Sequence, residues 1–377
     1  MFGTGMLSWL VGPRRAQAVG WFVNTLRQRF QRRESAGRFG IVKTELADGS
    51  RYSTRQGWII TDLVSTLLSV EERFVVLDAG AREAFGDPRW RVFDKKRVRL
   101  FGFEPDAKEV EALNREAAHL GVDYQYYASA LWSQQGHATY IANRSPGGGS
   151  FFEQNLDLTD RWKFENVEAK FLARDIFHPL GKEDWVVTSV DAWASENAIV
   201  DVDFMKLNVQ GAELEILKGA GKLLSRVTGI MVEMSFVESY KNRPFFSDID
   251  SFLRAQNFTF FDFIGHHLIG RARSPITATQ TPGLYPLHGQ LIEGHGIYFR
   301  DPIDMEKRGL DLDLYGKAKL LKLACFAEIF GQVEFAFELL AWIADTQARR
   351  GDDAGAGEVR ALVSEAESLY RRVLGAR

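Results

Sequence analysis

The chain has 377 residues, of which 45% are hydrophobic and 26% are charged, a balance typical of a globular protein of two or three domains. Its net charge of −3 excludes a generally basic nucleic-acid-binding protein, so we expect no nucleic-acid partner. The single cysteine, Cys325, excludes an internal disulfide framework and a zinc ribbon. We therefore expect a protein of a reducing compartment, the cytoplasm.

The first 33 residues carry six arginines and no acidic residue, so the rest of the chain is net acidic. Apolar side chains, among them Trp21, Leu26 and Phe30, recur between the arginines at near-helical spacing and predict a basic amphipathic arm. Two interpretations remain open. Residues 1–35 lie on an anionic membrane surface, at the inner face of the membrane, or they dock on the acidic body or on a second copy in a homo-oligomer.

From about residue 73, short apolar runs alternate with helical patterns. Strands are predicted at 74–78, 98–104, 124–130, 202–208 and 228–234, helices at 106–119 and 212–224, and antiparallel strands within 266–301. Such alternation is typical of βαβ units and predicts a mostly parallel sheet with helices on both faces.

Beyond residue 303, three helical patterns lie near 315–330, 333–348 and 356–374. They loosely resemble a tetratricopeptide-like hairpin, but a stable array needs about three repeats. We predict a small helical appendage that packs or dimerises. The predicted domains are the N-terminal arm with lead-in helices at 1–70, an α/β domain at 71–302 and the helical region at 303–377.

The turn after the first strand, LDAGAREAFGDP, is the first candidate site. Open α/β sheets bind ligands beyond the carboxyl ends of their strands, and Gly80 allows a close approach there. The next glycine, Gly86, lies too far along for a dinucleotide-binding G-x-G-x-x-G, which disfavours a nicotinamide-dependent enzyme. Glu104 ends the second strand, where a carboxylate either accepts ribose hydroxyls or caps the following helix.

Four stretches of the chain together resemble one known family: DAGA, FGFEPD, DFMKLNVQGAELEILKGAGKLL and IMVEMSFVESY. They are similar to the FkbM family of methyltransferases that use S-adenosyl-L-methionine. The resemblance implies a class I, Rossmann-like α/β fold with a seven-stranded, mostly parallel sheet. It also implies methyl transfer to a sugar hydroxyl of a glycan, glycolipid or glycosylated metabolite, as in polysaccharide biosynthesis.

The resemblance places the cofactor at the ends of the first three strands. The predicted cofactor-binding residues are Asp78, Gly80, Ala81, Arg82, Glu104, Pro105, Ala130 and Trp132. Arg82 stands where the family usually has asparagine, and it pairs either with the carboxylate of the donor or with Glu104. Trp132 stacks on adenine or belongs to the core.

The predicted catalytic residues end the next strands: Lys206, Asn208 and Glu233, with His295 as a second candidate base. Because a sugar hydroxyl is a weak acid, we expect a base, and Glu233 is the first choice. Asn208 forms hydrogen bonds but cannot act as a base, and the family often has aspartate there. Because both Arg82 and Asn208 depart from the usual residues of the family, a catalytically silent scaffold is the alternative function.

Three further features of this region have two interpretations each. Glu213 is a catalytic-loop carboxylate or an ordinary acid at a helix N-terminus, and Lys206 faces the crevice or pairs with Glu233. The glycine-rich segment 143–155 is a substrate lid or a hairpin loop. The histidines near the end of the sheet match no metal-ligand spacing, so we predict no metal: His266, His267, His288 and His295.

Overall fold

The computed structural model describes residues 58–82, 89–90, 93–143, 148–161, 178–269 and 290–374. The predicted amphipathic arm lies outside these ranges, as do His288 and residues 144–147 of the glycine-rich segment. Membrane contact through residues 1–35 and homo-oligomer formation therefore stay predictions from the sequence.

The described part of the chain alternates between strands and helices before it ends in helices. The strands are β1 (Phe74–Ala79), β2 (Val98–Phe103), β3 (Asp123–Tyr127), β4 (Ala130–Leu131), β5 (Gly136–Asn143), β6 (Pro179–Thr188), β7 (Phe204–Leu207), β8 (Gly229–Ser235), β9 (Thr259–Ile269) and β10 (Gln290–Phe299). The helices are α1 (Ile59–Leu67), α2 (Ala107–Leu120), α3 (Leu156–Thr159), α4 (Val190–Glu196), α5 (Glu213–Lys218), α6 (Gly221–Leu224), α7 (Phe246–Ala255), α8 (Pro302–Lys307), α9 (Lys317–Ile329), α10 (Val333–Arg349) and α11 (Asp353–Leu374). None of the helices within these ranges combines the length and the hydropathy needed to cross a membrane.

Seven strands form one sheet in the order β3-β2-β1-β7-β8-β10-β9. The first five are parallel to one another, whereas β10 runs antiparallel to both β8 and β9. The chain winds outward from β1 to β3 and then returns to the other side of β1, so the switch in winding direction lies between β1 and β7. Ligands of open α/β sheets bind at such a point.

The predicted strands are confirmed with small shifts. The helical pattern at 212–224 is confirmed as two short helices, α5 and α6, with a break between them. Only glycine fits at 219, because a side chain there would collide with the carbonyl oxygen of Trp132. The strand predicted at 124–130 ends at Tyr127, and Ala130 starts β4 of a second, three-stranded sheet, β4-β6-β5.

Helices cover both faces of the large sheet, as predicted. One face packs against α1, α2 and the C-terminal helices, and the other packs against α4 to α7. The ring of Phe204 in β7 lies 4.9 Å from the rings of both Phe326 and Phe330, measured between centroids. The C-terminal helices thus share one hydrophobic core with the sheet.

Two buried carboxylates reinforce this packing. Asp203, just before β7, accepts hydrogen bonds from the ammonium groups of Lys319 (3.2 Å) and Lys322 (2.8 Å) in α9. Glu328, at the other end of α9, accepts the N–H groups of Ile60 (2.8 Å) and Thr61 (2.7 Å). Because the first N–H groups of a helix have no partner within it, Glu328 caps α1 from a distant part of the chain.

Candidate active site

The crevice at the carboxyl ends of β1 and β7 rests on a buried ion pair. Asp78 and Lys206 are register neighbours, and the Nζ atom of Lys206 lies 2.7 Å from Oδ1 of Asp78. Lys206 also donates to the carbonyl oxygen of Gly80 at 3.3 Å. Lys206 therefore pairs with Asp78, and its predicted pairing with Glu233 is wrong. This ion pair fixes the ends of the two central strands relative to each other.

Gly80 occupies a backbone conformation and a space that suit only glycine. Its φ angle is +80°, and a Cβ atom would collide with the carbonyl oxygen of Asn208. The N–H of Asn208 in turn donates to the carbonyl of Ala79 at 3.1 Å. The close approach that Gly80 permits is thus between the turn after β1 and the loop after β7, the two walls of the crevice.

At the end of β2, Glu104 faces Arg82 across the crevice. Nη2 of Arg82 lies 3.2 Å from Oε1 of Glu104 and 3.4 Å from Oδ2 of Asp106. Asp106 accepts the N–H groups of Lys108 and Glu109 and caps α2, so the interpretation of Glu104 as the helix cap is wrong. Glu104 keeps its carboxylate directed at the crevice, held by the N–H of Asp106 at 3.1 Å.

The other predicted cofactor residues line the neighbouring backbone. Ala81 and Ala130 are buried, and Pro105 follows Glu104 at the start of the loop to α2. Trp132 is half-buried and contacts aromatic rings, with its centroid 5.1 Å from Phe151. The roles of all eight residues in binding a cofactor stay predictions.

A second polar cluster surrounds Glu233 at the end of β8. The side-chain amide of Gln210 donates to both carboxylate oxygens of Glu233, at 3.0 and 3.2 Å, and approaches Oδ1 of Asn208 at 3.3 Å. The hydroxyl oxygen of Tyr240 lies 3.3 Å from the side-chain Oε1 of Gln210. The guanidinium of Arg243 lies 3.7 Å from Glu233. These contacts hold the carboxylate of Glu233 in one orientation.

The electrostatics of this cluster favour a proton on Glu233. Burial raises the pKa of Glu233 well above its ordinary value, and the nearby Glu293 and Glu213 carboxylates raise it further. Arg243 and the Gln210 amide act in the opposite direction. A carboxylate with a raised pKa accepts a proton near neutral pH more readily than an exposed one does.

Glu213 organises the loop that carries Asn208 and Gln210. Its carboxylate accepts the N–H groups of Val209 and Gly211, each at 2.9 Å. Glu213 is buried at the first position of α5, and burial raises its pKa while Arg243 lowers it. The loop needs this support because Gln210 has a φ of +58°, a strained value for a residue with a side chain.

His295 lies beside Glu233, as a candidate second base should. The two residues are directly paired in the antiparallel ladder between β8 and β10, so their side chains leave the same face of the sheet. The side chains of His266 and His267 fall outside the described set. Within the described residues there is no group of three side chains that could hold a metal ion.

The sequence interpretation missed the roles of Gln210, Tyr240 and Arg243. Tyr240 ends the IMVEMSFVESY motif and could have been found from it. The glycine-rich segment also contacts this cluster, since Ser150 donates to the Gln210 backbone carbonyl at 2.6 Å and Tyr240 donates to Gly148 at 2.9 Å. The described residues of that segment are thus bonded to the loop that carries Asn208 and Gln210, and to Tyr240.

The strand order, the antiparallel last pair and the polar groups at the switch point define a class I methyltransferase fold. Residues 78–260 match the model of the methyltransferase FkbM domain. This part of the chain is thus similar to FkbM methyltransferases, which favours a methyltransferase enzyme over a silent scaffold.

Individual relatives are distant. The 2-O-methyltransferase NoeI of Sinorhizobium fredii (strain NGR234) is 25% identical over 200 residues, which cover 53% of this chain and 78% of NoeI. A methyltransferase FkbM structure from Methylobacillus flagellatus KT is 14% identical with a TM-score of 0.31, over 62% of this chain and 45% of that one. This chain thus spans less than half of that structure. A SAM-dependent methyltransferase from Aquifex aeolicus is 10% identical with a TM-score of 0.25, over 65% of this chain and 93% of its own.

Proposed function

We propose that this enzyme transfers a methyl group from S-adenosylmethionine to a hydroxyl of a sugar, within a glycan, glycolipid or glycosylated metabolite in the cytoplasm. The observation that carries the proposal is Glu233, a buried carboxylate of raised pKa that Gln210 holds at the crevice. An oxygen acceptor is supported by the relative NoeI, which is named a 2-O-methyltransferase.

The residues at the ends of β1 and β2 have side chains whose chemistry suits the proposed donor. S-adenosylmethionine supplies a methyl group activated by a positively charged sulfur. Glu104 can accept the hydroxyls of its ribose, and Arg82 can bind its amino-acid carboxylate. The Arg82 side chain is 35% exposed, so its pair with Glu104 is weak enough to open when a ligand competes for the carboxylate.

The reaction we propose needs the acceptor oxygen to be aligned and deprotonated. Glu233 accepts the hydroxyl proton while Gln210 fixes both of its oxygens. The Asp78–Lys206 ion pair and the fit of Gly80 against Asn208 hold the donor side and the acceptor side of the crevice at a constant spacing. Alignment of this kind supplies a large part of the acceleration of a bimolecular displacement.

Calorimetric titration tests the donor assignment directly. We expect the full chain to bind S-adenosylmethionine and to show no heat with NAD, because the single glycine after β1 does not form a pyrophosphate site. Binding of NAD alone would refute the proposed function. Absence of binding to either molecule would refute the donor assignment.

We expect Glu104→Ala to weaken S-adenosylmethionine binding about 10- to 150-fold, because a hydrogen bond to a charged group contributes about 1.5–3 kcal/mol. The control is Asp106→Asn, which removes the second ion pair of Arg82 but leaves an asparagine to cap α2. The affinity of this control for S-adenosylmethionine should be within about twofold of that of the parent. Equal affinities of Glu104→Ala and the parent would contradict the assignment of Glu104 to the ribose.

A further inference from the structure

Beside the three-stranded sheet lies a cluster of aromatic side chains, of which only Trp132 has an assigned role, as a candidate for stacking on adenine. The rings of Tyr140 in β5 and Trp185 in β6 are stacked, with centroids 3.6 Å apart and planes 13° from parallel. Phe151 packs against both, at 5.5 and 6.1 Å, and Trp132 lies 5.1 Å from Phe151. We call these four residues the aromatic wall. All four residues are partly accessible to solvent.

Short contacts connect the aromatic wall to the Glu233 cluster. The Tyr140 hydroxyl lies against Gly149, where a Cβ atom would collide with it. The neighbouring Gly148 accepts the hydrogen bond of Tyr240, and Ser150, next to Phe151, donates to Gln210. The wall therefore stands beside the catalytic loop.

The aromatic wall also lies within electrostatic range of the donor side of the crevice. The pKa of Tyr140 is raised by its burial and then by the Glu104 carboxylate, while Arg82 acts to lower it. Tyr140 in turn contributes to the raised pKa of Tyr240. Tyr140 thus contacts the segment bonded to the cluster around the proposed base and lies within electrostatic range of the predicted ribose-binding carboxylate. A molecule that receives a methyl group must lie between these two places.

The chemistry of the wall indicates what it binds. An aromatic face carries partial negative charge, and it attracts the C–H bonds on the apolar side of a sugar ring. Glu183 is paired with Tyr140 across the strands, so both leave the same face, and its carboxylate accepts the indole N–H of Trp185 at 2.8 Å. Aromatic faces bordered by a few polar groups are typical of small-molecule sites. The carboxylates of Glu183, on this face, and of Glu104, which acts on Tyr140, disfavour an anionic ligand.

We propose that the aromatic wall is the acceptor subsite and that it binds the C–H face of an uncharged pyranose ring, with Tyr140 and Glu183 placed to bond ring hydroxyls. This inference rests on the proposed function, because it identifies where the sugar acceptor of that reaction lies. It makes Trp185 and Tyr140 specificity-determining residues for the acceptor.

Saturation-transfer NMR on the full chain tests the subsite without turnover. The probes are the methyl pyranosides of glucose, galactose and mannose, with methyl glucuronopyranoside as the anionic counterpart and phenol as a planar aromatic. We expect at least one neutral pyranoside to receive saturation and the glucuronide to receive much less. Replacing Trp185 by leucine should weaken the neutral pyranoside about tenfold, and Trp185→Phe, which keeps a ring, should restore part of the binding.

The chain offers a matched control. Trp342 in α10 is also half-buried and also donates its indole N–H to a glutamate, Glu306, at 2.7 Å, but it lies on the C-terminal helices. Trp342→Leu should bind the pyranoside as the parent does. Three outcomes would each overturn the proposal. The Trp342 and Trp185 variants could lose pyranoside binding equally, the protein could bind phenol but no pyranoside, or it could bind the glucuronide as well as it binds the neutral sugars.

Calorimetry on the same variants separates this inference from the proposed function. Trp185→Leu should bind S-adenosylmethionine within about twofold of the parent, since the ring lies on the acceptor side. Normal donor binding without any pyranoside binding would refute only the acceptor subsite. Failure of the parent protein to bind S-adenosylmethionine would refute the proposed function.

Discussion

Glu233→Gln is expected to slow methyl transfer by roughly 10²- to 10⁴-fold, the usual contribution of a positioned general base, while S-adenosylmethionine binds as in the parent. Glutamine keeps the shape of the side chain and its hydrogen bond with Gln210 but cannot accept the acceptor proton. Single-turnover rates with saturating donor measure the effect. The control is Glu215→Gln, which removes a carboxylate on the outer side of α5 that is paired with Lys218. Comparable rates for Glu233→Gln and the control would exclude Glu233 as the base.

The pH dependence of the methyl-transfer rate of the parent provides a second test of Glu233 as the base. Glu233 must be ionised to act as a base, so the rate should rise with pH through a pKa above the ordinary range of a glutamate, and this rise should vanish in Glu233→Gln. The effect on stability has the opposite sign. Because the folded protein binds the proton more tightly than the unfolded chain, stability falls as pH rises between the two pKa values and stays lower above them. We therefore expect the melting temperature of Glu233→Gln to decline less over this window than that of the parent.

Asp203→Ala is expected to lower the free energy of unfolding by about 3–5 kcal/mol, because it leaves two buried ammonium groups without their shared carboxylate. Asp203 also accepts the N–H of Val75 at 2.9 Å, so the variant loses a bond to β1. Urea denaturation measures the loss. The control is Asp201→Ala, which removes a carboxylate that also pairs with Lys319 but is 40% exposed, and it should cost no more than about 1 kcal/mol. Similar losses in both variants would show that the Asp203 contacts contribute no more than a surface ion pair does.

The strands of the sheet could be predicted because each is an apolar run bounded by polar or turn residues. The requirement for glycine at 219 could not, because it depends on the backbone of Trp132, which is remote in sequence. The burial of α9 could be predicted only in part. All but its first two residues are buried, including Lys319, Lys322 and Glu328, whose partners are remote in sequence.

The candidate site, too, could be predicted from the sequence only in part. Asp78, Gly80, Glu104 and Glu233 follow from their places at strand ends, which any parallel sheet brings to one edge. The partners of these residues were open: Arg82 had the donor carboxylate or Glu104 as its alternatives, and the Asp78 partner of Lys206 was not among those predicted. The position of Gln210 depends on a positive φ angle that Glu213 supports from the following helix. Such a loop conformation cannot be derived from local propensity.

The cap that Glu328 provides for α1 has a consequence for how the chain is made. The N–H of Ile60 and its acceptor are 268 residues apart, so at about 5–20 residues per second the ribosome delivers the helix roughly 10–50 seconds before its cap. During that interval α1 lacks its cap and the C-terminal helices that cover its apolar side. Most of the chain must therefore emerge before this face of the sheet can close, and the nascent protein exposes apolar surface that chaperones recognise.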